Sequence, residues 1–195
     1  MKIKKEYITY GTLALIVLTI GVVGFIVIRR NKKKGMNTNS NEVEKTWDSS
    51  TDKLIQTLHP KLRPIAAKFI NEVQKKLGYK LRIASGYRTI EEQNRLYAQG
   101  RTAPGAIVTK AKGGSSYHNY GLAFDTYFTD NGKTNLNKAM TQDVVAIGKS
   151  LGLEWGGDFK TIKDMPHFQL TLASTGKLLS LYNDKKVDNK GYVLV

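Results

Sequence analysis

The sequence predicts an α+β domain with a small, mainly antiparallel sheet and flanking helices. Apolar residues recur at helical spacing between residues 62 and 77, which is typical of an amphipathic helix. The stretch GLAFDTYF, residues 121–128, instead alternates between apolar and other side chains, as a strand does. Helical and strand patterns are interspersed along the chain without a regular βαβ alternation, which favours an antiparallel sheet over a parallel one.

The N-terminal segment predicts a membrane anchor over residues 1–34. Residues 11–28, GTLALIVLTIGVVGFIVI, form an uncharged apolar run that comes close to the length needed to cross a bilayer core. The basic stretch RRNKKK follows at once, which favours an uncleaved single-pass transmembrane helix over a cleaved signal peptide. More basic residues follow the helix than precede it, so the positive-inside rule alone would keep the C-terminal part in the cytoplasm.

The rest of the chain divides into a tether and one domain. Residues 35–50 are polar, poor in aliphatic side chains and rich in Asn and Ser, and we expect them to be a flexible linker. Residues 51–195 then form a folded domain, since a chain of 195 residues has room for one full core with some extra segments.

The elements of this domain follow in order. The helix that follows Pro60 should stop at Gly78, and YKLRIAS, residues 79–85, alternates as a strand. TIEE, residues 89–92, is a capping box with Thr89 as N-cap, and it opens a helix through about Ala98. Arg88 is thereby placed at a junction between a strand and a helix.

The second half of the domain begins with a long loop. Residues 101–116, RTAPGAIVTKAKGGSS, carry two glycines directly before the segment of His118, and loops of this length are usually functional. In the following strand Phe124 and Phe128 share one face, whereas Asp125 lies on the other. Residues 141–151 predict a helix after a threonine cap, and LEWGG and PHFQL predict two short strands around a turn.

The composition limits the chemistry. The absence of cysteine excludes disulfides, thiolate zinc sites and cysteine nucleophiles, so a metal site must use histidine and carboxylate ligands. The net charge is +15, and about half of this excess lies in the first 36 residues. The remaining charge suits an anionic cell-wall polymer as well as nucleic acid, and no basic helix with interleaved aromatic residues is visible. We therefore expect no nucleic-acid partner.

Three residues could form a catalytic zinc site. Such a site needs three nitrogen or oxygen ligands and one open position, which His118, Asp125 and His167 could supply. Asp164 precedes His167 by three residues, and a carboxylate close to a ligating histidine can move protons in metal-assisted hydrolysis. The residues alone leave the alternative open that these are loop, turn and strand-edge side chains with local hydrogen bonds. His59, just before the first long helix, is expected to be structural.

The motifs together resemble a known family. SGYRTIEEQNRLYAQGRTAPGAIVTKAKGGSSYHNYGLAFD, followed by LGLEWGGDFKTIKDMPHFQL, is similar to the VanY-type zinc D-alanyl-D-alanine carboxypeptidases, and especially to their L-alanyl-D-glutamate endopeptidase branch of cell-wall hydrolases and phage endolysins. The resemblance covers roughly residues 54–172. It includes the pattern Ser-x-His-x-x-Gly-x-Ala-x-Asp, which runs from Ser116 to Asp125, and a second histidine motif at Asp164 and His167.

The resemblance implies a role for each matching residue. It assigns one Zn²⁺ to His118, Asp125 and His167. It also makes Asp164 the general base, at a position where many carboxypeptidase relatives have Glu and the endopeptidase branch has Asp. The remaining implied roles concern the substrate: Arg88 polarises the scissile carbonyl, and Gln93 and Ser116 bind substrate.

The resemblance also implies a fold and a function. The fold is hedgehog/D-Ala-D-Ala peptidase-like, and the activity is hydrolysis of the peptidoglycan stem peptide, with the L-alanyl-D-glutamate bond as the expected target. Two alternatives remain, a D-alanyl-D-alanine carboxypeptidase and a non-catalytic zinc-containing wall-binding module. Because peptidoglycan lies outside the membrane, this function implies that the domain faces the cell wall. The basic residues that flank the predicted helix instead favour a cytoplasmic domain.

Overall fold

The computed structural model describes residues 43–136 and 138–195, and the elements in these ranges follow the predicted order. The helices are α1 (Ser49–Gln56), α2 (Arg63–Leu77), α3 (Ile90–Ala98), α4 (Gln142–Ser150) and α5 (Thr175–Asn183). The strands are β1 (Leu81–Ser85), β2 (Ala123–Asp130), β3 (Lys133–Asn135), β4 (Glu154–Trp155) and β5 (His167–Gln169). Two short 3₁₀ helices cover Tyr117–Tyr120 and Gly156–Asp158.

The sheet is small and antiparallel, as predicted. Its central strand is β2, which pairs with β1 along one edge and with β5 and β3 along the other. The short strand β4 pairs with β5, so the order is β1-β2-β5-β4 with β3 beside the far end of β2. Every pairing between the named strands is antiparallel, which confirms the predicted α+β class.

The two faces of β2 differ as the alternation predicts. Phe124 and Phe128 are fully buried, and Phe124 packs with Phe168 of β5 and Phe69 of α2. Asp125 lies on the opposite face, which lines a cleft. The apolar face of β2 packs against the helices. Because successive side chains of a strand point to opposite faces, Asp125 then faces the cleft.

Helices α2 and α4 cover the apolar face of the sheet. The helix α2 ends at Gly78 in a left-handed conformation with φ 70°, as the sequence predicts, because a residue without Cβ adopts this angle freely. Helix α4 also lies where it was predicted, but its N-cap Thr141 makes no side-chain capping bond. The fully buried large side chains of the main core are Ile55, Leu58, Leu62, Phe69, Ile70, Leu81, Ile83, Phe124, Phe128 and Phe168.

A second, smaller core lies under the C-terminal tail. It joins Tyr120 and Leu122, around the start of β2, to Leu178 and Leu181 of α5 and to Val193 of the tail. The C-terminal tail therefore covers this core.

The segment directly before α1 packs against the domain. Residues 35–50 were predicted to be a flexible linker, yet the described part of it lies on the domain: Trp47 donates a hydrogen bond from Nε1 to the Leu81 carbonyl at 2.8 Å. Asp48 caps α1 and forms an ion pair with Arg82 at 3.0 Å. One partly buried indole and one paired carboxylate therefore hold this otherwise polar segment against the domain.

The predicted membrane anchor falls outside the described residues. Residues 1–42, which include the apolar run 11–28, are not described, so the anchor stays a prediction. Within residues 43–136 and 138–195, none of the helices has the length and apolar character needed to cross a bilayer.

Candidate metal centre

His118 is placed by a sharp turn into β2. It belongs to the 3₁₀ helix Tyr117–Tyr120, which ends at Gly121 with φ 65°. A Cβ at Gly121 would lie only 2.7 Å from the backbone nitrogen of His59, so the turn requires glycine for both its angle and its space. Nδ1 of His118 lies 2.7 Å from the Gly86 carbonyl oxygen, so this nitrogen carries the proton and Nε2 is free to bind a metal.

Asp125 and His167 are cross-strand neighbours. They lie directly opposite each other in the β2–β5 pair, and side chains at such positions are close on one face of a sheet. Nδ1 of His167 lies 3.2 Å from Oδ1 of Asp125. The strand register therefore brings together two ligands that are 42 residues apart in the chain.

The three ligand atoms form a nearly equilateral triangle. Nε2 of His118 lies 3.2 Å from Nδ1 of His167 and 3.3 Å from Oδ1 of Asp125, and the third side is the 3.2 Å contact between Asp125 and His167. A tetrahedral Zn²⁺ with ligand distances of about 2.0–2.1 Å requires its ligand atoms to be about 3.3 Å apart. The donor set and its spacing therefore fit Zn²⁺.

The electrostatics favour a charged carboxylate at this triangle. Burial opposes ionisation of Asp125, but the charges and hydrogen bonds of His118 and His167 outweigh burial and hold the pKa of Asp125 well below its usual range. Burial also opposes the charged form of His167, yet its hydrogen bond to Asp125 and the nearby carboxylate charges raise its pKa. An anionic oxygen is thus available to a cation at the triangle.

Arg88 lies at the edge of the triangle, where the predicted strand-to-helix junction places it. Its guanidinium is 3.8 Å from Oδ2 of Asp125, the oxygen that does not belong to the triangle. The same guanidinium donates to Oε1 of Gln93 at 2.8 Å and to Oγ of Ser85 at 3.2 Å. Two neutral acceptors therefore hold the cation in one orientation, with its side chain lining the cleft.

Gln93, which the resemblance implies to bind substrate, is buried beside Arg88. It is only 1% exposed and does not line the cleft. Its amide accepts from Arg88 and donates to the Ala111 carbonyl at 2.8 Å and to Thr109 Oγ1 at 3.3 Å. The side chain thus connects Arg88 to the long loop beside the cleft, and its polar atoms are used within the protein.

Asp164 lies in the cleft, in a turn that packs on Gly156. The Asp164 backbone nitrogen donates to the Gly156 carbonyl at 3.0 Å, and the His167 nitrogen donates to the Asp164 carbonyl at 3.2 Å. Burial, followed by repulsion from Asp125, raises the pKa of Asp164 above its ordinary value. A carboxyl group of raised pKa beside a metal triangle is suited to accept and return a proton.

The cleft has a volume of about 600 Å³ and brings most of the predicted residues together. Its walls include Arg88, Ser116, His118, Asp125, Asp164 and His167. Lys110 and Phe159, to which the sequence patterns assigned no role, also line the cleft. Phe159 follows the 3₁₀ helix after β4, and its ring centroid lies 5.6 Å from that of His167. No motif marked these residues, but their position in the loops flanking the two histidine segments was a usable signal.

A triangle of this kind, with a proton-accepting carboxylate and an arginine beside it, is typical of metal-dependent hydrolases. Comparison with known proteins agrees with this class. Residues 109–170 match the family model described as D-alanyl-D-alanine carboxypeptidase. The peptidoglycan L-alanyl-D-glutamate endopeptidase CwlK of Bacillus subtilis (strain 168) is 46% identical over 99 residues, a match that covers 45% of this chain and 59% of that protein.

Three solved structures also match. The L-Ala D-Glu endopeptidase ChiX of Serratia marcescens is 24% identical, with 69% of this chain and 94% of that chain covered and a TM-score of 0.45. The LD-carboxypeptidase LdcB is 23% identical, with coverages of 63% and 70% and a TM-score of 0.44. The D,D-pentapeptidase VanY from a VanB-type vancomycin-resistance cassette, in complex with Zn(II), is 18% identical, with coverages of 63% and 78% and a TM-score of 0.42.

The resemblance predicted from the motifs is confirmed by the sequence matches: the chain is similar to a D-alanyl-D-alanine carboxypeptidase family and to an L-alanyl-D-glutamate endopeptidase. The chain spans 59% of the length of the curated relative that it matches.

Proposed function

We propose that this chain is a zinc-dependent peptidase that hydrolyses the L-alanyl-D-glutamate bond of the peptidoglycan stem peptide. The observation that carries the proposal is the triangle of His118, Asp125 and His167, whose 3.2–3.3 Å sides suit Zn²⁺, in one cleft with Asp164. The 46% identity to an endopeptidase supports the choice of bond. We infer that the small antiparallel sheet with its helices is the hedgehog/D-Ala-D-Ala peptidase-like fold, which the matched segment supports.

The residues of the chain divide the work of hydrolysis. Zn²⁺, when bound, acidifies a water molecule and polarises a carbonyl group. Asp164 takes the proton of the attacking water, and it returns a proton to the departing amine as the C–N bond breaks. Arg88 stabilises the negative charge that develops on the carbonyl oxygen, because its guanidinium is already oriented by Gln93 and Ser85. Ser116, which lines the cleft, is proposed to hydrogen-bond the substrate.

The experiment that tests this function is digestion of purified peptidoglycan with the wild-type protein and with Asp164→Asn. We expect the wild type to release fragments, the chelator-treated protein to release none, and Asp164→Asn to bind Zn²⁺ yet release none, because an amide cannot accept the proton. Full activity of Asp164→Asn would remove Asp164 from the mechanism. Zinc content is measured on the same samples, so that loss of metal and loss of base are distinguished.

Mass spectrometry of the fragments identifies the bond. New free carboxyl groups on L-alanine at the glycan side indicate the endopeptidase, and released terminal D-alanine indicates a D-alanyl-D-alanine carboxypeptidase. The carboxypeptidase is the second candidate because residues 109–170 match a D-alanyl-D-alanine carboxypeptidase family model. Binding to peptidoglycan without any product would instead indicate a non-catalytic wall-binding module, which a cleft containing Asp164 and Arg88 argues against.

We further propose that residues 11–28 anchor the enzyme in the membrane with the domain facing the cell wall. The apolar run supports the anchor, and the proposed substrate, which lies outside the membrane, supports the orientation. Added protease should then digest the domain in intact spheroplasts. Protection of the domain until the membrane is lysed would place it in the cytoplasm.

A further inference from the structure

Gln169 lies directly behind the ligand His167. The two residues are separated by one position in β5, so their side chains lie on the same face of the strand. Nε2 of His167 is 3.0 Å from Oε1 of Gln169, and Gln169 is only 6% exposed. The ring nitrogen of His167 that does not belong to the metal triangle therefore has a buried polar partner.

The orientation of the Gln169 amide is fixed by its other neighbours. Its Nε2 lies 2.9 Å from Oε2 of Glu154 and 3.0 Å from Oγ1 of Thr171. A carboxylate can only accept, so the NH₂ group must face Glu154 and the amide oxygen must face His167. An oxygen at that position accepts a hydrogen bond from the Nε2–H group of His167, so the proton stays on Nε2 and the lone pair belongs to Nδ1, which is part of the triangle.

The strand register builds this arrangement. Gln169 pairs with Ala123 of β2 on one side and with Glu154 of β4 on the other. Ala123 is small and leaves room on this face for the long side chain of Gln169. Asp125 and His167 form the next cross-strand pair of the same face. The cross-strand pair that contains Gln169 thus lies next to the pair of Asp125 and His167, which supplies two ligands.

We propose that Gln169, oriented by Glu154, is a positioning residue that holds His167 in the tautomer with Nδ1 free to bind the metal. A hydrogen-bonded partner behind a ligating histidine fixes the ring and raises the basicity of the ligand. Removal of such a partner costs about 10–100-fold in metal affinity or activity. This inference rests on the metal site of the proposed function, but not on its substrate.

The test measures zinc affinity by competition with a chelator of known affinity, together with the melting temperature of the metal-free protein. Gln169→Met keeps the length of the side chain and removes the acceptor, so we expect about 10–100-fold weaker zinc binding. The exchange variant combines Gln169→Glu with Glu154→Gln. It places a carboxylate acceptor beside Nε2 of His167 and an amide donor beside that carboxylate. It should bind Zn²⁺ within a few-fold of the wild type.

The outcomes separate the inference from the function. Wild-type affinity in Gln169→Met would overturn the inference, as would equal losses in the single and the exchange variants. If Gln169→Met does not fold, Glu154→Ala takes its place: it frees the amide to turn, and unchanged zinc affinity in that variant overturns the inference. A wild-type protein that binds no zinc would instead contradict the proposed metal site itself.

Discussion

Arg88 shows how a single side chain obtains a defined orientation. Its guanidinium contacts Gln93, Ser85 and one oxygen of Asp125, so it is held from three sides before any substrate arrives. A planar group with several fixed donors can hold neutral acceptors on one edge and still present other N–H groups to the cleft. A lysine at the same position has one charged atom and cannot do both.

Replacing Arg88 by lysine should therefore reduce kcat on a stem-peptide substrate by about 10²–10³-fold, the cost typical of losing one preorganised oxyanion donor. The positive charge remains, so zinc affinity should change little. Arg95→Lys, on the exposed face of the same helix α3, is the matched control and should keep wild-type kinetics. A kcat of Arg88→Lys within a few-fold of the wild type would show that this arginine does not stabilise the oxyanion.

Gln93 and Gln169 show what residue patterns alone could not reveal. Both are buried amides with hydrogen-bond partners in other segments of the chain. The partners of Gln93 include Thr109 and Ala111 in the long loop. Gln169 bonds to Glu154 in β4. The family resemblance implies that Gln93 binds substrate. Spacing gives the approximate location of a side chain, but the burial of an amide depends on which loops close over it.

Among the elements, β2 and β5 were predicted with different success. The alternation in β2 correctly predicted that Asp125 points away from the apolar face, because the period of a strand decides the face of every residue in it. The existence of β5 was also predicted, but a strand of three residues cannot reveal its register. The pairing of Asp125 with His167 is a tertiary property and could come only from the structure.

The turn between β4 and β5 depends on Gly156. A Cβ at Gly156 would lie 2.4 Å from the Asp164 carbonyl oxygen and 2.9 Å from the His167 Cβ, so the backbone of the turn would have to shift. Gly156→Ala should displace both the general base and a metal ligand. A displacement of about 1 Å can cost about 100-fold in rate, and we expect at least this loss in kcat/KM.

The matched control for this glycine is Gly176→Ala in α5. No atom lies within 4 Å of a Cβ at Gly176, and the residue is exposed, so this variant should keep wild-type activity and stability. Zinc affinity of Gly156→Ala should fall together with kcat/KM because His167 moves with the turn. Normal activity of Gly156→Ala would mean that the turn adapts without moving either functional residue.

Across the whole domain, both ends of the described chain are fastened to the sheet and helices. Trp47 and Asp48 hold the N-terminal segment on β1. The tail is held at His59, in the loop between α1 and α2, whose Nε2 lies 3.0 Å from the Val193 carbonyl oxygen. The sequence predicted His59 to be structural, but it could not predict either fastening, since each depends on one or two side chains in an otherwise polar segment.

The contact at His59 should make the stability of the domain depend on pH. Nδ1 of His59 accepts a hydrogen bond from the Lys61 backbone at 3.2 Å, which leaves Nε2 as the donor to Val193. Burial, opposed only in part by the hydrogen bond to Val193, lowers the pKa of His59 below its ordinary value of 6.5. The unfolded chain then binds the proton more readily than the folded chain. The contribution of His59 to stability is therefore complete above pH 6.5 and is lost progressively as the pH falls below it.

We expect the melting temperature of the wild type to fall between pH 7.5 and 5.5 more steeply than that of His59→Gln, which keeps a donor for Val193 but cannot titrate. Both proteins are measured without zinc by circular dichroism. His118 and His167 are identical in the two proteins, so the difference between the two profiles isolates His59. Parallel profiles would show that His59 takes up its proton as easily in the folded domain as in the unfolded chain, and the tail contact would then not depend on its charge.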